Sequence, residues 1–98
     1  MAQKIVWNKS ARIKLDEITT YLEEEFSEET AKKFIQKFFD RLEILSRYPT
    51  LGRPSKKKKQ IRCYKIDKNR NLYYRVDGNL LFVVYIFDSR QSPDKNPY

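Results

Sequence analysis

Leu72-Tyr73-Tyr74-Arg75-Val76-Asp77-Gly78-Asn79-Leu80-Leu81-Phe82-Val83-Val84-Tyr85-Ile86-Phe87 is the stretch on which the fold turns. Residues 72–76 and 80–87 are rich in aromatic and branched side chains and flank Asp77-Gly78-Asn79. Asp77 and Gly78 both tolerate the positive φ that a type I′ turn demands, so a tight hairpin is expected. Residues 80–87 are apolar on both alternating faces, which predicts the central strand, whereas residues 72–76 alternate as a flanking strand does. A third run, residues 61–66, precedes them across the short polar segment 67–71. Short connections of this kind predict an antiparallel meander.

Upstream the period changes from two to three and four. Ala11, Leu15, Ile18 and Leu22 fall on one helical stripe, with Lys14, Asp16, Glu17 and Glu23 to Glu25 mostly off it. Asn8 or Ser10 offers the N-cap, and Lys4-Ile5-Val6-Trp7 reads as a short opening strand. Ser27 before Glu28 and Glu29 signals a second helix start, because a hydroxyl caps free amides and acids suit the positive end of the dipole. Phe26 can staple onto Ala31, and Glu28/Lys32 and Glu29/Lys33 are helix-stabilising pairs. Ala31, Phe34, Ile35, Phe38, Leu42 and Leu45 continue the period until Pro49 stops the helix near Arg47. Phe34, Phe38 and Phe39 are expected in the core. The predicted fold is α+β, in the order β-α-α-β-β-β, with a helix hairpin on one face of a small, mostly antiparallel sheet and the other face free.

Length and composition set the outer limits. Ninety-eight residues and 11.9 kDa suit one domain, residues 1–98, with one modest core. Aromatic residues at 14% argue against disorder, and a mean hydropathy of −0.80 argues against a membrane span. The only long apolar run, residues 80–87, is far short of the ~20 residues a bilayer needs. With no secretion signal in Met1-Ala2-Gln3-Lys4, a cytoplasmic location is expected. One cysteine, Cys63, and no histidine remove internal disulfides and the usual zinc and haem ligand sets, so no metal and no cofactor is expected. Proton transfer must then fall to Lys, Arg, Tyr, Asp or Glu.

The net charge of +8 is segregated. Residues 1–52 hold nine Lys and Arg against nine Asp and Glu, whereas residues 53–98 hold twelve against four. Such a surface concentrates polyanions. The cations assigned to it are Arg53, Lys56, Lys57, Lys58, Lys59, Arg62, Lys65, Lys68, Arg70, Arg75 and Arg90, with Tyr64, Tyr73, Tyr74 and Tyr85 among them. Cations can grip phosphates while tyrosines stack on unpaired bases, a pattern suited to RNA. The same tyrosines also suit the scaffold of a small sheet, and the four lysines suit either a phosphate clamp or an exposed loop. Cys63 reads as a small buried residue with no histidine to activate it.

Trp7-x-x-x-Ala11, the Leu15/Ile18/Tyr21 helix face, Leu45-x-x-Tyr48-Pro49-x-x-Gly52-Arg53, Tyr73-Tyr74-Arg75-Val76 and the ending Asp88-Ser89-Arg90-Gln91-Ser92-Pro93 together resemble the RelE/ParE superfamily of bacterial toxins. The resemblance spans nearly the whole chain. It implies the toxin component of a type II toxin–antitoxin module, growth inhibition, plasmid stabilization, and neutralisation by a cognate antitoxin. RelE-like members cut messenger RNA on the ribosome as endoribonucleases. ParE-like members inhibit DNA gyrase and replication and are not nucleases.

A histidine-free nuclease needs a proton acceptor for the 2′-hydroxyl, cations for the phosphate and a donor for the leaving oxygen. Clustered lysines can supply the first by depressing one another's pKa. Against the RelE-like pattern, Lys65 and Arg90 occupy catalytic positions. The second lysine position falls on Asp67, the arginine position on Asn71 beside Arg70, and the tyrosine position near Asn96, with Tyr98 two residues on. The long hairpin and the Pro-x-x-Gly-Arg loop place ParE-like inhibition ahead, with RelE-like cleavage and an inactive binding module as the alternatives. Target contacts are expected from Arg53, Lys56 to Lys59, Arg62, Arg70, Arg75 and Tyr98. The antitoxin is expected to lay an acidic segment on the basic surface, as a helix in the hairpin groove plus an extended strand along a sheet edge.

Overall fold

The computed structural model describes residues 2–90 and 95–98. Strand β1 (Lys4–Trp7) leads into helix α1 (Lys9–Glu25) and helix α2 (Glu28–Arg47), followed by β2 (Arg53–Pro54), β3 (Arg62–Lys65), β4 (Arg70–Asp77) and β5 (Leu80–Asp88). The strands form one five-stranded sheet in the order β1-β5-β4-β3-β2. β1 runs parallel to β5, and the other pairings are antiparallel. The architecture is α+β, two helices on a mixed sheet.

The helices form where the apolar period placed them. Asn8 is the N-cap of α1 but makes no side-chain cap bond, while Ser10 Oγ donates to the carbonyl of Val84 at 3.1 Å and ties the helix start to β5. Ser27 caps α2 by accepting from Thr30 N at 3.0 Å. Glu29 and Lys33 pair at 3.5 Å. Phe26 does not work as a buried staple: it remains 62% exposed and packs edge-on against Tyr21, with ring centroids 6.2 Å apart.

The stripes Ala11/Leu15/Ile18/Leu22 and Ala31/Phe34/Phe38/Leu42/Leu45 meet Leu72, Tyr74, Leu81, Val83 and Ile86 from the sheet. Full burial of such side chains contributes about 1.5–3 kcal/mol each, so this layer carries most of the fold's stabilisation. Phe39 does not belong to it. At 43% exposure it lies on the α2 flank against Trp7, because residues 38 and 39 point about 100° apart around a helix.

Three further expectations are corrected by the tertiary arrangement. The strand in the middle is β4, and β5 sits one place off because β1 pairs only with residues 80–83 at its outer side. The hairpin loop is Gly78-Asn79 between paired Asp77 and Leu80, and Gly78 alone has positive φ, at 59°. That is the pattern of a type II′ turn, in which only the first central residue needs the left-handed side. The loop after α2 contains β2, whose two residues pair with Cys63 and Arg62.

The face of the sheet away from the helices is not free. Ile61, Tyr73, Val84 and Phe87 form a second buried cluster, with Cys63, Phe82, Tyr85 and Tyr98 packed against it. A bulge makes this possible: Tyr73 pairs with Tyr85 but Tyr74 pairs with Val83, so Val84 is the extra residue and adjacent Val84 and Tyr85 serve the same face. Among the described residues, no helix is long and apolar enough to cross a membrane.

Candidate functional site

The turn between β3 and β4 fixes the first group of charges. Asp67 Oδ1 accepts from the backbone N–H groups of Asn69 (2.9 Å) and Arg70 (3.0 Å), a local bridge that lets the chain reverse. Its other oxygen accepts from Arg70 Nη1 at 3.2 Å, and Arg70 Nη2 lies 3.8 Å from Asp88. The guanidinium also rests over the Phe34 ring at 5.1 Å. Arg70 is therefore only 6% exposed and cannot be one of the target-contacting cations expected from the sequence. A buried arginine is tolerable only with its charge matched, and here two carboxylates match it. Asp67, the departure from the RelE-like lysine position, is thereby explained as a turn former and ion-pair partner.

Arg90 closes the same cluster. Its Nη2 and Nε donate to Asp88 at 2.6 and 3.0 Å, and its backbone N–H donates to the same carboxylate at 2.9 Å. The bond to Arg90 holds the Asp88 carboxyl below its ordinary range, and Asp88 in turn raises Arg90. A cavity of ≈ 470 Å³ lies here, with Lys14, Glu17, Ile18 and Tyr21 of α1 opposite Arg70, Asp88 and Arg90. Of the ending Asp88 to Pro93, only the part up to Arg90 falls within the described residues.

Lys65 lies elsewhere. It is exposed at the end of β3 and lines a hollow of ≈ 400 Å³ with Arg53, Lys68, Tyr64, Asn71 and Ser89. Lys65 and Arg90 thus line different cavities, and the pair of RelE-like positions is not assembled into one pocket.

The remaining expected cations divide by what holds them. Arg62 Nη1 donates to the carbonyl of Gly52 and braces the loop before β2. Arg75 stacks on Phe82 at 4.2 Å and lies 3.8 Å from Asp77, at the hairpin end of the sheet. Lys57 Nζ donates to the carbonyl of Asn96, and Lys58 sits over the Tyr98 ring at 4.9 Å. Lys56 and Lys59 are exposed. Arg53, Lys56 and Lys57 line a second hollow of ≈ 340 Å³ beside the first.

Tyr98 is placed by contacts no local pattern announces. Its ring stacks on Tyr73 at 5.6 Å and tilts against Tyr85 at 5.9 Å, and Ser55 Oγ donates to its carbonyl oxygen. Asn96 Nδ2 donates to the Tyr73 hydroxyl at 3.0 Å and Asn96 Oδ1 accepts from Tyr98 N. Ser55 and Asn96 were not among the expected residues, since their partners lie 43 and 23 positions away. Tyr73 is buried against this segment and Tyr74 against the helices, so neither ring is open for stacking on a base. Burial raises both phenols, and it raises the Cys63 thiol as well, leaving that sulfur an unactivated packing group.

Tyr74 also explains the Pro49-x-x-Gly52 spacing. Its hydroxyl donates to Pro49 O at 2.7 Å and accepts from Gly52 N at 2.9 Å. A Cβ on residue 52 would lie 2.5 Å from that hydroxyl, so glycine is required for close approach. Among the described residues, no group of three His, Cys, Asp or Glu side chains could hold a metal ion.

Residues 5–93 match the family described as the ParE toxin of the type II toxin–antitoxin system parDE. No curated protein matches the sequence. Among solved structures, the chromosomal ParDE toxin–antitoxin system from P. aeruginosa is similar at 21% identity and a TM-score of 0.77, covering 89% of this chain and 96% of that one. The YoeB/ParE toxin from Agrobacterium tumefaciens is similar at 18% identity and a TM-score of 0.64, covering 87% and 96%. The YoeB dimer from Staphylococcus aureus is similar at 19% identity and a TM-score of 0.61, covering 87% and 94%. These likenesses share the two-helix, five-strand fold described above, and the family match over most of the sequence carries the identity: the chain belongs to the ParE toxin family and is a ParE-like toxin of a type II toxin–antitoxin module.

Proposed function

We propose that this toxin acts in the cytoplasm by inhibiting DNA gyrase and thereby replication, and that it does not cleave messenger RNA. The observation that carries this reading is the separation of the two nuclease-like positions. Lys65 lines a hollow on the face of the sheet away from the helices, whereas Arg90 is held by Asp88 beside α1. An endoribonuclease must bring its proton acceptor and its phosphate-stabilising cation to one phosphodiester, within hydrogen-bond reach of the reacting oxygens. Asp67 and buried Arg70 add no free cation between them. Membership of the ParE family supports the same target.

The test is a paired assay on purified protein: gyrase supercoiling and DNA cleavage beside primer extension on messenger RNA in programmed ribosomes. Gyrase-dependent loss of supercoiling with intact RNA is the expected result. Codon-phased cuts that require the ribosome would overturn the proposal. Arg90→Ala sharpens it. Undiminished toxicity in the folded variant would remove Arg90 from the site, as its clasp on Asp88 leads one to expect.

The cognate antitoxin is proposed to use an amphipathic helix, an extended strand and an acidic segment. Ile13, Tyr21 and Phe26 remain 48, 45 and 62% exposed along α1 and offer an apolar seat for the helix. Among the described residues, β5 beyond Val83 pairs with no strand on its β1 side and offers an edge for strand addition. The acidic segment suits the basic sheet face, so salt should weaken the complex, and affinity indifferent to salt would count against that part.

A further inference from the structure

The two hollows on the sheet face away from the helices share Arg53, Cys63, Asn71 and Ser89, and so form one continuous trough. Its rim carries Arg53, Lys56, Lys57, Lys65 and Lys68, and among the described residues no Asp or Glu lines either hollow. Among the described residues, no side-chain carboxylate lies within 4.0 Å of any of these five cations, although the protein pairs Lys14, Lys33, Arg47, Arg70, Arg75 and Arg90 in that way. Lys57 is bonded to a backbone carbonyl, and among the described residues no Asp or Glu side chain pairs with Arg53, Lys56, Lys65 or Lys68. The floor is aromatic, but its rings are engaged: Tyr73 is buried, and Tyr98 is stacked between Tyr73, Tyr85 and Lys58.

We infer that this trough is a sequence-independent binding surface for the phosphate backbone of double-stranded DNA. Unpaired cations in a row attract a polyanion and release its counterions, which requires no base readout. Recognition of single-stranded RNA draws instead on open aromatic rings for stacking, and the rings here are closed off by the 95–98 segment and the lysine loop. The inference is independent of gyrase, because it concerns the toxin and DNA alone. A failure of DNA binding and a failure of gyrase inhibition are read in different assays.

The experiment is fluorescence anisotropy of the purified toxin with two labelled duplexes of unrelated sequence, about 20 base pairs each, over about 50 to 200 mM salt. Equal affinity for both duplexes is expected, with log K falling against log salt at a slope of about −4 for four phosphate contacts. The double variant Lys65→Glu/Lys68→Glu should weaken binding by at least about tenfold and reduce the slope by about 2. Lys32→Glu, on exposed α2, should leave both nearly unchanged, and circular dichroism confirms that each variant is folded. Equal losses in the α2 variant would overturn the inference, because net charge rather than the trough would then set the affinity. It would also be overturned by tighter binding of a single-stranded RNA of equal length. Binding of poly-glutamate with no binding of either duplex would reassign the trough to an acidic protein partner and overturn it as well.

Discussion

Lys65 and Arg70 stand at the two ends of one turn, on adjacent strands, and in the sequence they are the same kind of signal. In the folded protein they differ in every respect that matters to a partner. Arg70 is enclosed by Asp67, Asp88 and the Phe34 ring, and its charge is used inside the protein. Lys65 is exposed in a trough that, among the described residues, no Asp or Glu side chain lines. The division extends outward from these two: Arg62, Arg75 and Arg90 brace loops or carboxylates, whereas Arg53, Lys56 and Lys68 pair with no Asp or Glu among the described residues. A count of basic residues therefore overstates the charge left available at the surface, since several of the cations are already used inside the protein.

Four changes test this contrast. The largest effect is expected from Arg70→Ala, which leaves Asp67 without its cation and Asp88 with Arg90 alone, and should cost about 3–5 kcal/mol in urea unfolding. Lys65→Ala should stay within about 0.5 kcal/mol in the same measurement, and a comparable loss for both would erase the distinction. Next comes Tyr74→Phe, which strands the Gly52 N–H and the Pro49 carbonyl and should cost about 1–3 kcal/mol. Gly52→Ala should cost a similar amount, since fully buried Tyr74 has no room to move away from a Cβ.

The third change is pH. Arg90 depresses Asp88, so the stability gained from that carboxylate is present above its unfolded pKa and is lost as pH falls through the lower, folded value. The difference in melting temperature between the wild type and Asp88→Asn should accordingly shrink with acidification, and a difference that grows would contradict the assignment. The smallest effect is expected from Tyr98→Ala. It should release Lys58 and the stacking on Tyr73, and raise amide exchange in residues 55–61 with little change in global stability. Unchanged exchange there would show that the lysine loop is ordered without the terminal segment.

Much of the scaffold was legible because its signals are short-range. The stripes of α1 and α2, the Ser27 cap and the stop before Pro49 each depend on neighbours within about one helical turn. The order β-α-α-β-β-β and the hairpin around Gly78 follow from equally local alternation and turn chemistry. What failed is non-local. Phe39 matched an apolar count but not the face that the sheet covers, and β5 looked central because both its faces are buried, although its second neighbour is only the short β1. β2 is two residues held by pairing to β3, too short to carry a period of its own.

The candidate site divides along the same line. Local sequence patterns suffice for the two-helix, small-sheet scaffold, for the segregation of positive charge into residues 53–98 and, through the order of the motifs, for the toxin family. Which of the described cations lack an acidic partner, which cavity Lys65 and Arg90 each line, and how Tyr98 covers Tyr73 follow from the folded arrangement alone. The physical reason is range: periodicity, capping and turn formation act over a few residues, whereas the neutralisation of a charge or the covering of a sheet face depends on groups brought together from 20 or more positions away.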